Sequence, residues 1–192
     1  MRNAITFVHA ILRDTVKAGD VVIDATVGNG HDTQLLAELV QQHGLVYGFD
    51  VQQEAIDAAR ALLGTSSERL RLICSGHETI ATAIDPAHRG RVKAVTFNLG
   101  YLPGGDKTIT TNAETTLPAI EQAIGVLTAD GIITIVCYQH SEGLREINAV
   151  RNMLQQMPQP QFSCLETNFV NQRGNPAVVF IVYLRHQQTD LP

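Results

Sequence analysis

The sequence predicts an α/β fold, Rossmann-like, in which helices wrap an open and mostly parallel sheet. Three observations predict it. Residues 21–33 run from Val21-Val22-Ile23-Asp24 through Gly28-Asn29-Gly30 directly into a helix-like pattern, which is the strand, turn and helix start of a βα unit. Further short apolar runs at 45–50, 70–74, 92–97 and 132–137 alternate with amphipathic stretches, the rhythm of consecutive βαβ units. The last two runs, Phe162–Phe169 and Ala177–Leu184, are joined through Asn171-Gln172-Arg173-Gly174-Asn175-Pro176, too short for a parallel crossover. They must form a hairpin, with one strand antiparallel to the rest.

The elements follow in order. Ile5, Val8, Leu12 and Val16 fall at helical spacing over residues 4–17, and Gly19-Asp20 ends that helix before the first strand. His9 lies among these apolar residues, where a core histidine making one hydrogen bond competes with a ligand role. Leu35, Leu36, Leu39 and Val40 give the next helix, and Leu45–Asp50 the second strand. Ala55, Ile56, Ala59, Leu62 and Leu63 share one face of the helix that follows, and Leu70–Cys74 is the third strand. After a loop marked by Asp85, Pro86 and Gly90 comes the fourth strand, Val92–Phe97. Leu117, Ile120, Ile124 and Leu127 form a helix face, Asp130-Gly131 turns, and Ile132–Cys137 is a buried strand. Leu144, Ile147, Val150 and Leu154 lay a last helix on the sheet, ended by Pro158 and Pro160.

Bulk properties bound the function. A chain of 192 residues fits one domain, expected over 1–185, with a polar tail at 186–192. A net charge of −5 excludes a general basic field for nucleic acid, so any RNA contact must be local. No apolar run approaches the roughly 20 residues of a bilayer span, and the amino terminus lacks a signal-peptide core, so a cytoplasmic protein is expected. Cys74, Cys137 and Cys164 sit far apart in strand-like runs, as reduced, buried thiols would; no metal-spaced His/Cys set occurs.

The chemistry-bearing residues cluster where strands end. Gly28 and Gly30 let backbone amides approach a ligand, and Asp32 or Thr33 can cap the new helix. Thr33 stands where a dinucleotide fingerprint requires its third glycine. The alternative is the acidic G-x-G loop of methyltransferases that bind S-adenosylmethionine, with Asp24 as the acid. An ordinary βα turn is the plain competitor. Asp50, about 20 residues on, can accept the hydroxyl hydrogens of a ribose or simply cap the next helix. Ser75-Gly76-His77-Glu78 ends the third strand and belongs beside the adenine or ribose. Asn98-Leu99-Gly100-Tyr101-Leu102-Pro103-Gly104-Gly105-Asp106-Lys107 is a long Gly/Pro turn whose backbone has something to wrap. Its Asn and aromatic are similar to the N-P-P-Y signature of amino-group methyltransferases, with Leu99-Gly100 in place of Pro-Pro; a local side-chain bond of Asn98 is the competing reading. His140 also falls at a strand end, as proton acceptor or substrate contact, unless Ser141 simply caps the helix there.

The motifs Asp-Ala-Thr-x-Gly-Asn-Gly-His-Asp-Thr at 24–33, Phe-Asp-Val-Gln at 49–52, Gly-His-Glu at 76–78, the 98–107 segment and Asn171-Gln172 together resemble one small family of seven-stranded class I methyltransferases. These are the tRNA methyltransferases of the MnmM type, formerly labelled “putative rRNA methylase”. Where the family usually has Pro-Gly-His after the fifth strand, this chain has Tyr138-Gln139-His140. The resemblance implies S-adenosylmethionine as cofactor and N-methylation of wobble-position 5-aminomethyl-2-thiouridine in the anticodon region of tRNA. Asp50 and Gln52 would hold the ribose, and Gly28, Asn29 and Gly30 the methionine part, flanked by Asp24 and Asp32. Gly76, His77 and Glu78 would lie near the adenosine. Asn98 would orient the amine, with Asp106 or His140 as base; Tyr101 would stack on the thiouracil, and Lys107, Arg145 and Arg173 supply local positive charge. Neither a membrane nor a metal is implied, and a homodimer would widen the basic footprint. The rivals are a dehydrogenase, a non-catalytic RNA-binding module, and methylation of rRNA or a small amine on the same scaffold.

Overall fold

The structure, a computed structural model, describes residues 3–64, 69–106 and 108–185; Lys107 and the expected polar tail lie outside the described residues. The elements are α1 (Ala4–Thr15), β1 (Val21–Asp24), α2 (His31–Val40), β2 (Leu45–Asp50), α3 (Gln53–Leu63), β3 (Leu70–Cys74), α4 (Ile80–Ala83), β4 (Val92–Leu99), α5 (Ala113–Val126), β5 (Leu127–Cys137), α6 (Ser141–Gln155), β6 (Phe162–Thr167) and β7 (Val178–Leu184). The strands form one seven-stranded sheet in the order β3-β2-β1-β4-β5-β7-β6. β7 pairs antiparallel with both β5 and β6, so the hairpin expected from the short 171–176 connection is present. This is the arrangement that the resemblance to class I methyltransferases implies.

Side-chain alternation along the strands builds two cores. On β1, Val22 belongs to the buried cluster that includes Val8 and Leu12 of α1 and Leu36 and Val40 of α2, while Ile23 belongs to the one that includes Ile80, Ile120 of α5 and Val150 of α6. The same split recurs on β7, where Val179 and Ile181 face the first group and Phe180 and Val182 the second. A buried run on each strand is therefore a two-faced run, as a sheet covered on both sides demands. α1 is held at its start by a reciprocal cap: Asn3 Oδ1 accepts from the Thr6 amide at 2.8 Å and Thr6 Oγ1 accepts from the Asn3 amide at 3.1 Å. Its stripe of Ala4, Val8 and Leu12 is buried; each large side chain so buried contributes about 1.5–3 kcal/mol.

Some boundaries differ from the periodicity. α5 stops at Val126, and Leu127 already belongs to β5. Asp130-Gly131 lies within β5 where its register against β4 jumps, Val92 facing Leu127 and Ala94 facing Ile132, so it forms an outward bulge and not a turn between elements. β4 continues through Asn98 to Leu99 because both residues still pair with β5, opposite Val136 and Cys137. Cys137 is buried as expected, but Cys74 and Cys164 are exposed. β3 and β6 lie at the two edges of the sheet, and an edge strand has no neighbour to cover its outer face.

The order in which successive strands are added reverses at β1, which lies between and parallel to β2 and β4. The loops leaving the carboxyl ends of these strands diverge and open a crevice, the usual ligand position in such sheets. Asp24, Asp50 and Asn98 all sit at that end.

Candidate active site

The glycine loop is organised by acidic side chains. Gly28 (φ +51°) donates its amide to Asp50 Oδ2 at 2.9 Å, and the Gly30 amide bonds the Val27 carbonyl at 2.8 Å. Both amides expected to reach a ligand are therefore engaged within the protein. Gly30, with φ +84°, is itself the N-cap of α2, and a β-carbon there would lie 2.9 Å from Ala59 Cα. Neither Asp32 nor Thr33 caps the helix. Thr33 Oγ1 instead donates to Asp24 Oδ2 at 2.6 Å, while Asp24 Oδ1 accepts from the Thr26 amide. Asp24 is fully buried and lines none of the cavities described below. Beneath the loop it ties β1 to α2 through Thr33.

Burial, reinforced by the Asp32 charge, pushes the Asp24 carboxyl up to about 7. The folded state therefore keeps a proton that the unfolded chain has already released, and stability falls as pH rises from the ordinary 3.8 toward about 7. Asp24→Asn should remove this decrement, leaving the variant roughly 1–3 kcal/mol less pH-sensitive than the parent. Urea unfolding of both proteins at about pH 5.5 and about pH 8 measures it; parallel pH dependences would rule the assignment out.

Two cavities meet at the end of β4. One, of about 190 Å³, is lined by Asp50, Gln52, Gly76, His77 and Glu78 on one side and by Leu102, Ile109 and Thr110 on the other. The second, of about 480 Å³, is lined by Tyr138, Gln139 and His140, by Pro103, and by Gly174 and Asn175. Thr26, Asn98, Gly100 and Tyr101 are common to both and form the wall between them. The larger lies within the range of small-molecule sites and has room for a nucleobase.

In the smaller cavity Asp50 uses one lone-pair position on each oxygen, accepting from the Gly28 amide and, at 2.9 Å, from the Gln52 amide. An ionised carboxylate has further acceptor capacity, which suits a diol. The Glu78 carboxylate fills the space that a β-carbon on Gly76 would occupy. His77 Nδ1 lies 3.3 Å from the Ala25 carbonyl, its ring packs edge-on against Phe97, and burial holds its pKa below the ordinary value. It is a neutral imidazole at neutral pH.

Four buried side-chain polar atoms among the described residues lack a hydrogen-bond partner within the protein: His77 Nε2, Asn98 Oδ1, Thr110 Oγ1 and His140 Nε2. All four residues line these two cavities. Leaving a buried donor or acceptor unpaired costs about 1–3 kcal/mol, so their convergence marks a site built for a polar ligand. Asn98 is pinned by Thr26 Oγ1, which accepts its backbone N–H at 2.7 Å; its Nδ2 donates to Asp32 Oδ2 at 3.4 Å. His9 Nε2 donates to the other oxygen of Asp32 at 2.6 Å, the one hydrogen bond of the core reading, from a side chain that is 24% exposed.

The expected bases fare differently. His140 is the N-cap of α6, its Nδ1 accepting from the Gly143 amide at 3.1 Å, which displaces Ser141 from that role. With Nδ1 accepting, the neutral ring carries its proton on Nε2, a donor. Asp106 is fully exposed, and the amide and hydroxyl of Thr108 hold its pKa below the ordinary carboxylate value. It lines a third cavity with Asn29, Gln52 and Glu54, and neither of the two that meet at Asn98. His140 Nδ1 and Asp106 Oδ1 are thus both engaged within the protein. The loop carrying Asp106 returns through a bridge between Tyr101 and Thr110 and is fastened by buried Glu146 of α6, which accepts from Thr111 Oγ1 at 3.0 Å and Thr116 Oγ1 at 2.6 Å.

Tyr101 is half-exposed, its ring 5.7 Å from that of His140. Arg145, with an 81% exposed side chain, lies near Glu142, and Arg173 is exposed on the loop that brings Gly174 and Asn175 to the larger cavity. Thr26, Thr110 and Asn175 were not legible as site residues. Thr26 stood inside the 24–33 motif, whereas Thr110 and Asn175 carry no sequence signal.

Residues 46–183 match the family described as “Putative rRNA methylase”. The chain is 32% identical to the chloroplastic tRNA (mnm(5)s(2)U34)-methyltransferase of Arabidopsis thaliana, over 94% of this chain and 69% of that one. A crystal structure of a “putative rRNA-methylase” from Clostridium thermocellum is 39% identical with a TM-score of 0.90, covering 96% of this chain and 98% of that one. A “putative methyltransferase” from Streptococcus mutans, crystallised with SAH, is 30% identical with a TM-score of 0.85, covering 96% and 99%.

Proposed function

This chain belongs to the family described as “Putative rRNA methylase” and is an S-adenosylmethionine-dependent methyltransferase, and from that premise we propose that it N-methylates 5-aminomethyl-2-thiouridine at the wobble position of tRNA. The product is 5-methylaminomethyl-2-thiouridine. The observation that carries this reading is Asn98 Oδ1, a buried acceptor without a protein partner on the wall between the two cavities.

The lining of the smaller cavity suits the adenosine part of the cofactor: Asp50 and Gln52 would hold its ribose, with Gly76, His77 and Glu78 beside the adenosine. When bound, the cofactor supplies a methyl group on a sulfonium sulfur that needs no further activation. The larger cavity takes the acceptor base, with Tyr101 stacking on the pyrimidine and the His140 Nε2–H donating to one of its ring acceptors. Asn98 Oδ1 accepts an amine N–H and so leaves the nitrogen lone pair directed toward the cofactor side. Alignment of this kind can account for several kcal/mol of the barrier. With His140 Nδ1 and Asp106 Oδ1 already engaged, the site selects the neutral amine, aided by desolvation of the buried acceptor position. Arg145 and Arg173 supply phosphate contacts that the overall charge of −5 does not. No described helix is long and apolar enough to cross a membrane, and among the described residues no cluster could hold a metal ion.

Incubation with S-adenosylmethionine and tRNA carrying 5-aminomethyl-2-thiouridine, followed by nucleoside mass spectrometry, tests the proposal. The expected result is the gain of one methyl on that nucleoside. Cofactor binding without that gain would reject it in favour of an rRNA or small-amine acceptor.

A further inference from the structure

We infer that His9 and Asp32 act as a positioning relay that decides which atom of the Asn98 amide faces the acceptor. The inference rests on the proposed amine methylation and deepens it. An asparagine amide can sit in either of two orientations of nearly equal shape and opposite chemistry. With Oδ1 toward the acceptor, the amide accepts an amine N–H and leaves the lone pair available. With Nδ2 there, it donates into the lone pair and quenches the nucleophile. Asn98 needs one orientation only.

Asp32 selects it. Its Oδ2 lies 3.4 Å from Asn98 Nδ2, and an ionised carboxylate accepts but does not donate. Turning the amide over would set Oδ1 against that oxygen. At 3.4 Å the contact is long for a hydrogen bond, so the selection comes chiefly from electrostatic rejection of the turned-over amide, in a site where water screens little. His9 holds the carboxylate in place: its 2.6 Å contact with Oδ1 spans from α1 to the first turn of α2, and the side chains of His9 and Asp32 are only 24% and 13% exposed. Thr26 fixes the Asn98 backbone at 2.7 Å, which leaves the amide orientation as the freedom still to be set. The chain of contacts thus starts on a helix that lines neither cavity and ends on the acceptor atom between them.

Asp32→Asn is the informative variant. His9 would hold the new Oδ1, presenting a neutral NH₂ to Asn98 and favouring the inverted amide. Turnover should fall by about 10²-fold, the scale of a misplaced reacting group, with cofactor Kd and the KM for tRNA unchanged within about twofold. In an Asn98→Ala background the same substitution should change turnover by less than about twofold, because residues acting as one unit are not additive. His9→Ala should lower kcat and His9→Gln restore most of it, since a glutamine N–H can still bind the carboxylate. A structural role alone would lower kcat equally in both backgrounds, and that result would overturn the relay.

A second readout is independent of activity. In ¹⁵N-edited NMR, the Asn98 side-chain NH₂ pair, identified by its loss in Asn98→Ala, should show one proton shifted and slowly exchanging, and Asp32→Asn should abolish both features. A pair resembling solvent-exposed amides and insensitive to Asp32→Asn would refute the relay. If the parent protein methylates no tRNA, the functional proposal fails while the NMR criterion still decides the relay.

Discussion

Asn98→Ala should reduce kcat by about 10²–10³-fold, the range found when one preorganised hydrogen-bonding group is removed from a reaction site. Cofactor affinity should stay within about twofold of the parent. The asymmetry follows from geometry: Asn98 stands on the wall shared by both cavities, its Nδ2 is taken by Asp32, and its Oδ1 has no protein partner. Deleting the amide leaves Asp50 and the glycine loop untouched, so binding survives while the amine loses its orientation. Single-turnover methyl transfer together with calorimetric titration of S-adenosylmethionine separates the two. Normal turnover would remove Asn98 from the chemistry.

Asp50→Ala should do the reverse at the first step and weaken cofactor binding by at least about 10²-fold. Hydrogen bonds to a charged group contribute roughly 1.5–3 kcal/mol each, and every 1.4 kcal/mol is about tenfold in Kd. Asp50 accepts from the Gly28 and Gln52 amides and lines the smaller cavity. Its loss therefore removes the proposed ribose contact and also releases the two backbone amides it holds beside the cavity. Calorimetry on a variant shown to be folded by circular dichroism measures this, and an unchanged Kd would exclude Asp50 from the cofactor site.

Much of the fold was legible because its signals are local. Gly28 and Gly30 interrupt an apolar run at a place where both adopt positive φ, and a hairpin was forced by the few residues between β6 and β7. Asp50 and Asn98 could be placed from strand ends alone, since parallel strands send their carboxyl ends to one side of the sheet. Signals failed where a side chain's role depends on what approaches it from a distant segment. Asp24 looked like a ligand acid because it precedes the glycines, yet Thr33 and Thr26 enclose it. The Gly28 amide looked available until Asp50, 22 residues away, was seen to accept from it. His140 and Asp106 qualified as bases by type and position, but the Gly143 amide and Thr108, which already bond His140 Nδ1 and Asp106 Oδ1, left no mark in the sequence.

The sequence by itself determined the parallel α/β sheet with its terminal hairpin, the glycine loop, and the strand ends that bear Asp50, His77 and Asn98. Hydrophobic period, turn chemistry and loop length act over a few residues and can be read from a few residues. Only the tertiary structure decided that His9, Asp32 and Asn98 form one chain of contacts, because their separations of 23 and 66 residues leave no local pattern. It alone decided which polar atoms of the cavity-lining residues remain unpaired. A donor or acceptor acquires its function from what the folded chain leaves unsatisfied, and that balance exists only after every other segment has taken its place.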